Sequence, residues 1–206
     1  MRFKVDDYFA ELGALPLRSL ATDGAGHELP MAALFESLVD LLRVLRDGGG
    51  KLMIVGNGGS ATIASHMAED FSKNGGVPTL AFNDGAMLSA LANDEGYEQV
   101  FARQIEFFGA AGDLLIAISS SGNSANIVNA VAAARDRGCG VLTMSGFGPD
   151  NQLRRLGDFN IYVPSGEYGF VEVVHLALVH ALLDIFMGWS RQEGLWSRPE
   201  AEKGAA

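Results

Sequence analysis

The chain reads KLMIVGNGGS over residues 51–60, an apolar run that turns at once into glycine, asparagine and serine. A similar junction, LLIAISSSGNSAN, occupies residues 114–126. A strand that ends in small residues and leads into a helix directs unpaired backbone N–H groups, and the positive end of the helix dipole, toward one point. The two junctions therefore predict an anionic ligand such as a phosphate, bound from two sides.

The small residues of these junctions have a second interpretation. Glycine and serine are also ordinary turn and cap residues. One such run on its own is about as consistent with that structural role as with ligand binding. Two runs in similar positions favour a ligand. Neither run matches GxxxxGK[ST] or GxGxxG, so the sequence does not support a nucleotide-binding loop.

From residue 51 onward, short apolar runs alternate with helical patterns, which is typical of a parallel sheet covered by helices. The pattern predicts an α/β fold with strands near residues 51–55, 78–82, 113–118, 140–145 and 159–163. It predicts helices near residues 60–73, 86–92, 97–108, 123–137, 150–156 and 169–188. Ligands of such sheets bind at the carboxyl ends of the strands, where both junctions lie.

The two ends of the chain are expected to differ from this central unit. A helical pattern over residues 31–47 stops at three glycines, and the segment before it is rich in turn residues. We expect residues 1–30 to form a loosely ordered arm with a short helix near residues 8–12. Residues 31–190 would form the ligand-binding domain, and residues 191–206 a charged, frayed tail.

Composition indicates an ordinary globular protein, since 48% of the 206 residues are hydrophobic and 19% are charged. The net charge of −10 argues against a nucleic-acid partner. The apolar runs are shorter than the ~20 residues of a membrane-spanning helix, and the first residues lack the pattern of a signal peptide. The single cysteine, Cys139, excludes an internal disulfide. We therefore expect a cytoplasmic protein with no membrane partner.

Two of the predicted helices each carry a histidine and a carboxylate. On the helix after the first junction, His66 and Asp70 are four residues apart and share a face, with Glu69 beside Asp70. On the last long helix, Glu172 and His180 are eight residues apart, a little over two turns. Together, two histidines and two carboxylates suit either a metal site or proton transfer.

These residues also have structural interpretations. His66 and Asp70 would form a surface pair on many helices, and His180 would be a core histidine bonded to a backbone carbonyl. The position of His66 within two turns of the first junction favours a role at the ligand. Asp94, in the polar run of residues 93–97, is equally consistent with a bond to a sugar hydroxyl and with capping the next helix.

Together these motifs resemble the sugar isomerase (SIS) domain family and, within it, the phosphoheptose isomerases. The resemblance extends from about Leu34 to Phe186. It rests on both junctions, on residues 92–97, on Gly112-Asp113 and on the helix from Val171 to His180. It implies a three-layer α/β sandwich with a five-stranded parallel sheet, preceded here by an N-terminal helical extension. It also implies a homotetramer with active sites lined by more than one subunit.

The resemblance further implies an aldose–ketose isomerase that acts on sedoheptulose 7-phosphate, or a close relative, through an enediol. The implied substrate-binding residues are Asn57, Gly58, Ser60, Asp94, Ser119, Ser120, Ser121, Ser124 and Glu172. A zinc or similar divalent ion would be bound by His66, Asp70, Glu172 and His180. The implied proton-transfer groups are His180 and Asp70, with Glu69 as the alternative to Asp70.

Three positions depart from the pattern of the family. The carboxylate after His66 is commonly glutamate and is Asp70 here, Glu172 stands where glutamine is frequent, and an expected arginine is replaced near Lys73-Asn74. These changes concern which sugar is bound and which residue acts as the base. They do not affect the prediction of a phosphate site. The alternative function is a non-catalytic SIS-fold protein that binds a phosphosugar as a regulator or adaptor, a role that needs neither histidine.

Overall fold

The computed structural model describes residues 4–192 and 195–197. Its α-helices are α1 (Val5–Arg18), α2 (Met31–Gly48), α3 (Gly59–Lys73), α4 (Gly85–Glu95), α5 (Val100–Phe108), α6 (Ala125–Asp136) and α7 (Tyr168–Phe186). Its strands are β1 (Leu20–Asp23), β2 (Glu28–Leu29), β3 (Leu52–Val55), β4 (Thr79–Ala81), β5 (Leu114–Ser119), β6 (Gly140–Ser145), β7 (Phe159–Tyr162), β8 (Ser190–Gln192) and β9 (Leu195–Ser197). Short 3₁₀ helices cover Tyr97–Gln99 and Leu153–Arg155.

One large sheet has the strand order β2-β1-β7-β6-β5-β3-β4. The strands from β7 to β4 are all parallel, which confirms the predicted five-stranded parallel sheet and the α/β class. The number of strands is larger than predicted, because β1 pairs antiparallel with β7, and β2 pairs antiparallel with β1. The sheet is therefore a mixed sheet of seven strands.

The N-terminal residues correct the expectation of a loosely ordered arm. The helix α1 has 14 residues rather than the five expected, and β1 and β2 form a hairpin whose turn contains Gly26 at φ 84°. Leu15 and Ala21 are buried in the core. The turn residues that suggested a loose arm thus form a hairpin turn at the edge of the sheet. The division of the chain near residues 30 and 190 stays a prediction.

Smaller differences occur elsewhere in the chain. The helix predicted at residues 150–156 is only the 3₁₀ turn at residues 153–155, because the side chain of Asn151 bonds the backbone there. In the predicted tail, β8 and β9 pair antiparallel. Residues 193–194 and 198–206 lie outside the described residues, so the frayed tail stays a prediction there.

The buried side chains form one core on each face of the sheet. In β3, Leu52 and Ile54 enter the core with α2, α3 and α7, whereas Met53 and Val55 enter the core with α5 and α6. This alternation is what a strand buried on both faces requires. The helix α7 has a mean hydropathy of 1.8 over an 18-residue window, which meets the length and composition of a membrane span. That hydropathy has a structural cause here, because Val174, Leu178 and Leu182 are core residues.

The connections of the sheet reverse direction between β3 and β5. From β3 the chain continues to the neighbour β4 on one side, and from β5 it continues to β6 on the other. Where the strand order reverses in this way, a crevice opens at the carboxyl ends of the strands. Both small-residue junctions follow these two strands, so the fold brings them to the same crevice.

Candidate active site

The two junctions line a cavity of about 250 Å³ at the carboxyl ends of β3 and β5. Its lining residues are Asn57, Gly58, Gly59, Ser60, Ile118, Ser119, Ser120, Ser121, Ser124, Tyr168 and Glu172. Among these described lining residues there is no lysine or arginine. The groups that these residues offer to an anion are hydroxyl groups, backbone N–H groups and helix dipoles.

Glycine is required in the first loop because neighbouring groups approach the backbone closely. A Cβ at Gly56 would lie 2.5 Å from the Ser60 side chain, and a Cβ at Gly59 would lie 2.5 Å from Glu172 Oε2. Gly58 precedes α3 at φ 53°, in the left-handed region that favours glycine. The loop can therefore turn directly into α3, whose N-terminus faces the cavity.

The second loop brings serine hydroxyl groups together. Ser119 Oγ lies 3.4 Å from Ser121 Oγ and 3.3 Å from Ser124 Oγ, and it accepts a bond from the Gly122 N–H at 3.1 Å. Ser124 precedes the first residue of α6. This arrangement offers several neutral donors to one anion. It agrees with the anion-binding role predicted from the serine-rich junction before this helix.

A buried asparagine that sequence reasoning did not select supports the second loop. Asn151 donates to the carbonyl of Gly148 at 2.8 Å, and its Oδ1 accepts a bond from the Arg154 N–H at 3.1 Å. A Cβ at Gly122 would overlap that same Oδ1. The Leu153 N–H also donates to the Gly122 carbonyl at 2.9 Å. The loop after β6 therefore fixes the position of the serine loop.

The helices α3 and α7 lie side by side and run from the cavity in the same direction. Gly59 faces Glu172 at the cavity end, and His66 faces His180 about two turns further along. His66 Nε2 lies 3.2 Å from His180 Nε2 and 3.5 Å from Asp70 Oδ2. His180 Nδ1 lies 3.9 Å from Asp70 Oδ2. The fold thus brings together three residues that the sequence selected from two helices.

This cluster has the composition of a metal site. One donor atom from each of His66, Asp70 and His180 lies within 4.8 Å of the others. Two imidazoles and a carboxylate are donors that zinc commonly takes, and tetrahedral bonds of about 2.0–2.1 Å place donors a little over 3 Å apart. Asn74 Nδ2 donates to Asp70 Oδ1 at 2.9 Å and leaves Oδ2 facing the histidines.

Other predicted site residues lie outside this cluster. Glu172 lines the cavity, eight residues before His180 on α7, which is about 12 Å along the helix. Glu69 forms an exposed ion pair with Lys73 at 3.3 Å. Asp94 lies within α4, where it accepts a bond from Asn93 at 2.7 Å. Asp94 gives no cap to the 3₁₀ helix at 97–99, so that alternative is not observed.

His175, a further histidine among the described residues, is fully buried on α7. Its Nε2 lies 3.2 Å from the Ser145 carbonyl oxygen, and its Nδ1 has no partner among the described residues. Burial lowers the pKa of His175 from 6.5 to about 4. The side chain is therefore a neutral core group that donates from Nε2. Burial also raises the pKa of the Cys139 thiol, which suits an inert core residue.

Comparison with known families supports the same site. A sequence model of the SIS domain matches residues 30–146, more than half of the chain. The chain belongs to the SIS domain family. The resemblance predicted from the motifs is therefore confirmed, and the cavity of this SIS domain lies at the two segments that carried it.

Curated relatives and solved structures agree with this assignment. The chain is 34% identical to a phosphoheptose isomerase from Geobacter sulfurreducens, over 88% of this chain and 96% of the relative. It is 33% identical to one from Thermodesulfovibrio yellowstonii, over 83% and 85% of the two chains. The structure of a phosphoheptose isomerase from Neisseria gonorrhoeae aligns with a TM-score of 0.76 at 29% identity, over 89% and 97%.

Proposed function

We propose that this SIS domain is an aldose–ketose isomerase that converts sedoheptulose 7-phosphate to a heptose 7-phosphate. One observation carries the proposal. The serine-lined cavity and the His66–Asp70–His180 cluster lie along the same pair of helices, α3 and α7. A phosphorylated open-chain sugar has its anion at one end and its carbonyl at the other, and this site separates an anion-binding region from a proton-transfer region in the same way.

The phosphate would be bound at the cavity end. Ser119, Ser121 and Ser124 offer hydroxyl groups, and the N-termini of α3 and α6 add backbone N–H groups and positive dipole ends. The net charge of −10 gives no long-range attraction for an anion. Affinity for the phosphate therefore depends on these local groups, with Asn57, Gly58 and Ser60 toward the sugar.

The proton transfer would take place at the cluster. A carboxylate takes one proton from C1 of the ketose, the C2 carbonyl oxygen gains a proton, and the enediol forms. The proton then returns to C2, while the C1 hydroxyl loses its proton and becomes the aldehyde. We assign the carboxylate to Asp70, with Glu69 as the alternative, and the oxygen-side transfer to His180. Asn74 leaves Asp70 Oδ2 facing the histidines.

A divalent ion, most simply Zn²⁺, fits the donors of His66, Asp70 and His180, and Glu172 is the proposed fourth ligand. Bound there, the ion would stabilise negative charge on the carbonyl oxygen during isomerisation. Glu172 would need to reach along α7 to join the other three donors, or act instead at the cavity that it lines. The geometry of the cluster therefore supports His66, Asp70 and His180 as ligands. The resemblance to the family supports Glu172 as the fourth.

We also propose a cytoplasmic homotetramer in which subunits share the active sites. The resemblance to the family supports this assembly. Exposed apolar side chains on α1, including Val5 and Phe9, provide surface that an assembly would bury. We expect light scattering to give four times the mass of one chain, and a monodisperse monomer would contradict the proposal.

Turnover tests the proposed function directly. The purified protein, supplied with zinc, is mixed with sedoheptulose 7-phosphate, and aldose phosphate is followed by NMR. We expect turnover, with His180→Ala reducing kcat at least 10²-fold, as removal of a general acid–base group does. His27→Ala, on the exposed β1–β2 hairpin, is the matched control and should keep full activity. No turnover with this or a related ketose phosphate would overturn the proposal.

The alternative regulatory function predicts a different result from the same protein. A binding module would hold sedoheptulose 7-phosphate without converting it and without needing the ion. Metal analysis separates the two, because an isomerase of the proposed kind should carry about one ion per chain and lose it in His66→Ala.

A further inference from the structure

We infer that Asn126 is a positioning residue that acts through Asn57, and that together with Tyr97 it limits Asn57 to donating a hydrogen bond to the sugar. The inference rests on the proposed function, because it assigns how one sugar-contacting residue of that site is held. Neither the motifs nor the comparisons assign this role to Asn126. It is carried by a hydrogen-bond network between the two loops.

The two asparagines form a reciprocal amide pair. Asn57 Nδ2 donates to Asn126 Oδ1 at 2.9 Å, and Asn126 Nδ2 donates to Asn57 Oδ1 at 2.8 Å. Asn57 lies in the first loop and lines the cavity, whereas Asn126 lies in the first turn of α6 and is 3% exposed. The pair therefore joins two segments that are 69 residues apart in the chain.

A third group completes the network. The hydroxyl of Tyr97 donates to Asn57 Oδ1 at 3.1 Å, so that this oxygen accepts two hydrogen bonds. A carbonyl oxygen has two lone pairs, and both are then engaged. Of the two N–H groups on Asn57 Nδ2, one is bonded to Asn126 and one remains. Asn57 can therefore offer a donor to the ligand and cannot offer an acceptor.

This arrangement has a consequence for specificity. A single donor at Asn57 selects a sugar oxygen that accepts a hydrogen bond, either a carbonyl or a hydroxyl at that position. Without Asn126, the Asn57 amide could rotate and present either its oxygen or its nitrogen. Binding would then be weaker, because the free enzyme would hold Asn57 in the productive orientation for only part of the time.

A double-mutant cycle in the proposed isomerase assay tests the inference. We expect Asn126→Ala to reduce kcat/KM by about 10- to 100-fold, within the loss that misplacement of a substrate-binding group causes. In the Asn57→Ala background, the same change should reduce kcat/KM by less than about threefold, since the residue through which Asn126 acts is already absent. Tyr97→Phe, which leaves the amide pair in place, should give a smaller loss than Asn126→Ala.

Asn129→Ala is the matched control for this cycle. Asn129 also lies on α6, and its Nδ2 donates to the Glu98 carbonyl at 3.0 Å, whereas the hydrogen bonds of the Asn57 side chain among the described residues go to Asn126 and Tyr97. Asn129→Ala removes a similar hydrogen bond, between an amide side chain of α6 and the 97–99 turn. A general loosening of α6 would therefore appear in both Asn129→Ala and Asn126→Ala. We expect Asn129→Ala to keep kcat/KM within about twofold of the unmodified protein, near the limit of additivity for independent sites.

Binding measurements separate this inference from the proposed function. Titration with inorganic phosphate should give the same affinity in Asn126→Ala, because Ser119, Ser121 and Ser124 are unchanged, whereas sedoheptulose 7-phosphate should bind more weakly. An equal effect of Asn126→Ala with and without Asn57, or no effect at all, would overturn the inference while leaving the isomerase intact. An unmodified protein that neither turns over nor binds the sugar phosphate would overturn the proposed function and, with it, this inference.

Discussion

At Gly122 the backbone has φ 64°, and a side chain there would overlap Asn151 Oδ1. We expect Gly122→Ala to destabilise the protein by about 2 kcal/mol or more, because left-handed backbone strain of ~1–2 kcal/mol adds to displacement of the buried Asn151. Inorganic phosphate should also bind more weakly, since Ser119 and Ser124 flank this turn. Urea unfolding and phosphate titration measure the two effects.

Gly112 provides the control for this prediction. It has φ 89°, in the same unfavourable region, but a Cβ there would meet no atom within 4 Å. Gly112→Ala should therefore carry the backbone strain alone, about 1 kcal/mol, and keep phosphate affinity. Equal losses in the two variants would show that Asn151 plays no part at Gly122.

His175 predicts how stability changes with pH. Its pKa is about 4 in the folded protein and 6.5 when unfolded, because burial disfavours the charged imidazole. As pH falls from 6.5 to 4, the unfolded state binds a proton that the folded state does not, so stability falls. At about 1.4 kcal/mol per pKa unit, His175 should account for a loss of about 3 kcal/mol across this range.

His175→Gln isolates that contribution, because glutamine keeps a donor for the Ser145 carbonyl and does not titrate. Urea unfolding at each pH gives the free energy of unfolding of both proteins. The value for the unmodified protein minus the value for the variant should decrease as the pH falls from 6.5 to 4. A difference that is independent of pH would contradict the assignment. The exposed histidines, His27 and His66, are common to both proteins and cancel in the comparison.

At the scale of one element, α1 tests whether the N-terminal segment belongs to the core. Leu15 is 0% exposed on this helix, and Leu17 is 90% exposed two residues later. We expect Leu15→Ala to destabilise the protein by about 2–4 kcal/mol, as loss of a buried leucine does. Leu17→Ala should change stability by less than about 0.5 kcal/mol. Small effects at both positions in urea unfolding would support the loose arm predicted from the sequence.

At the scale of the whole molecule, an ion at the cluster would connect α3 to α7, through residues 114 apart in the chain. An ion that binds only the folded state stabilises it by about 2.7 kcal/mol at a hundred times its Kd. Zinc should therefore raise the melting temperature of the protein treated with chelator, and should have little effect on His66→Ala. His27→Ala should respond as the unmodified protein does. An equal zinc response in His66→Ala would place the ion elsewhere.

Most of the fold follows from patterns that the sequence shows locally. The apolar runs and helical periods predicted the five parallel strands, because strand burial and helix amphipathicity each leave a pattern within a few residues. The 3₁₀ turn at residues 153–155 and the hairpin of β1 and β2 were not predicted. Both depend on partners remote in sequence or on side-chain bonds, such as the pairing of β1 with β7 and the contacts of Asn151.

The sequence by itself determined the two junctions, the α/β class, and the choice of His66, Asp70, Glu172 and His180 as candidate ligands. These follow from residue type and spacing, which act over one or two turns. Only the tertiary structure decided that His66 and His180 lie 3.2 Å apart, that Glu172 faces the cavity, and that Asn126 is hydrogen-bonded to Asn57. The reason is physical. Each of these contacts depends on how α3, α6 and α7 pack around the crevice between β3 and β5, where the strand order reverses. No local sequence pattern encodes the distance between two helices.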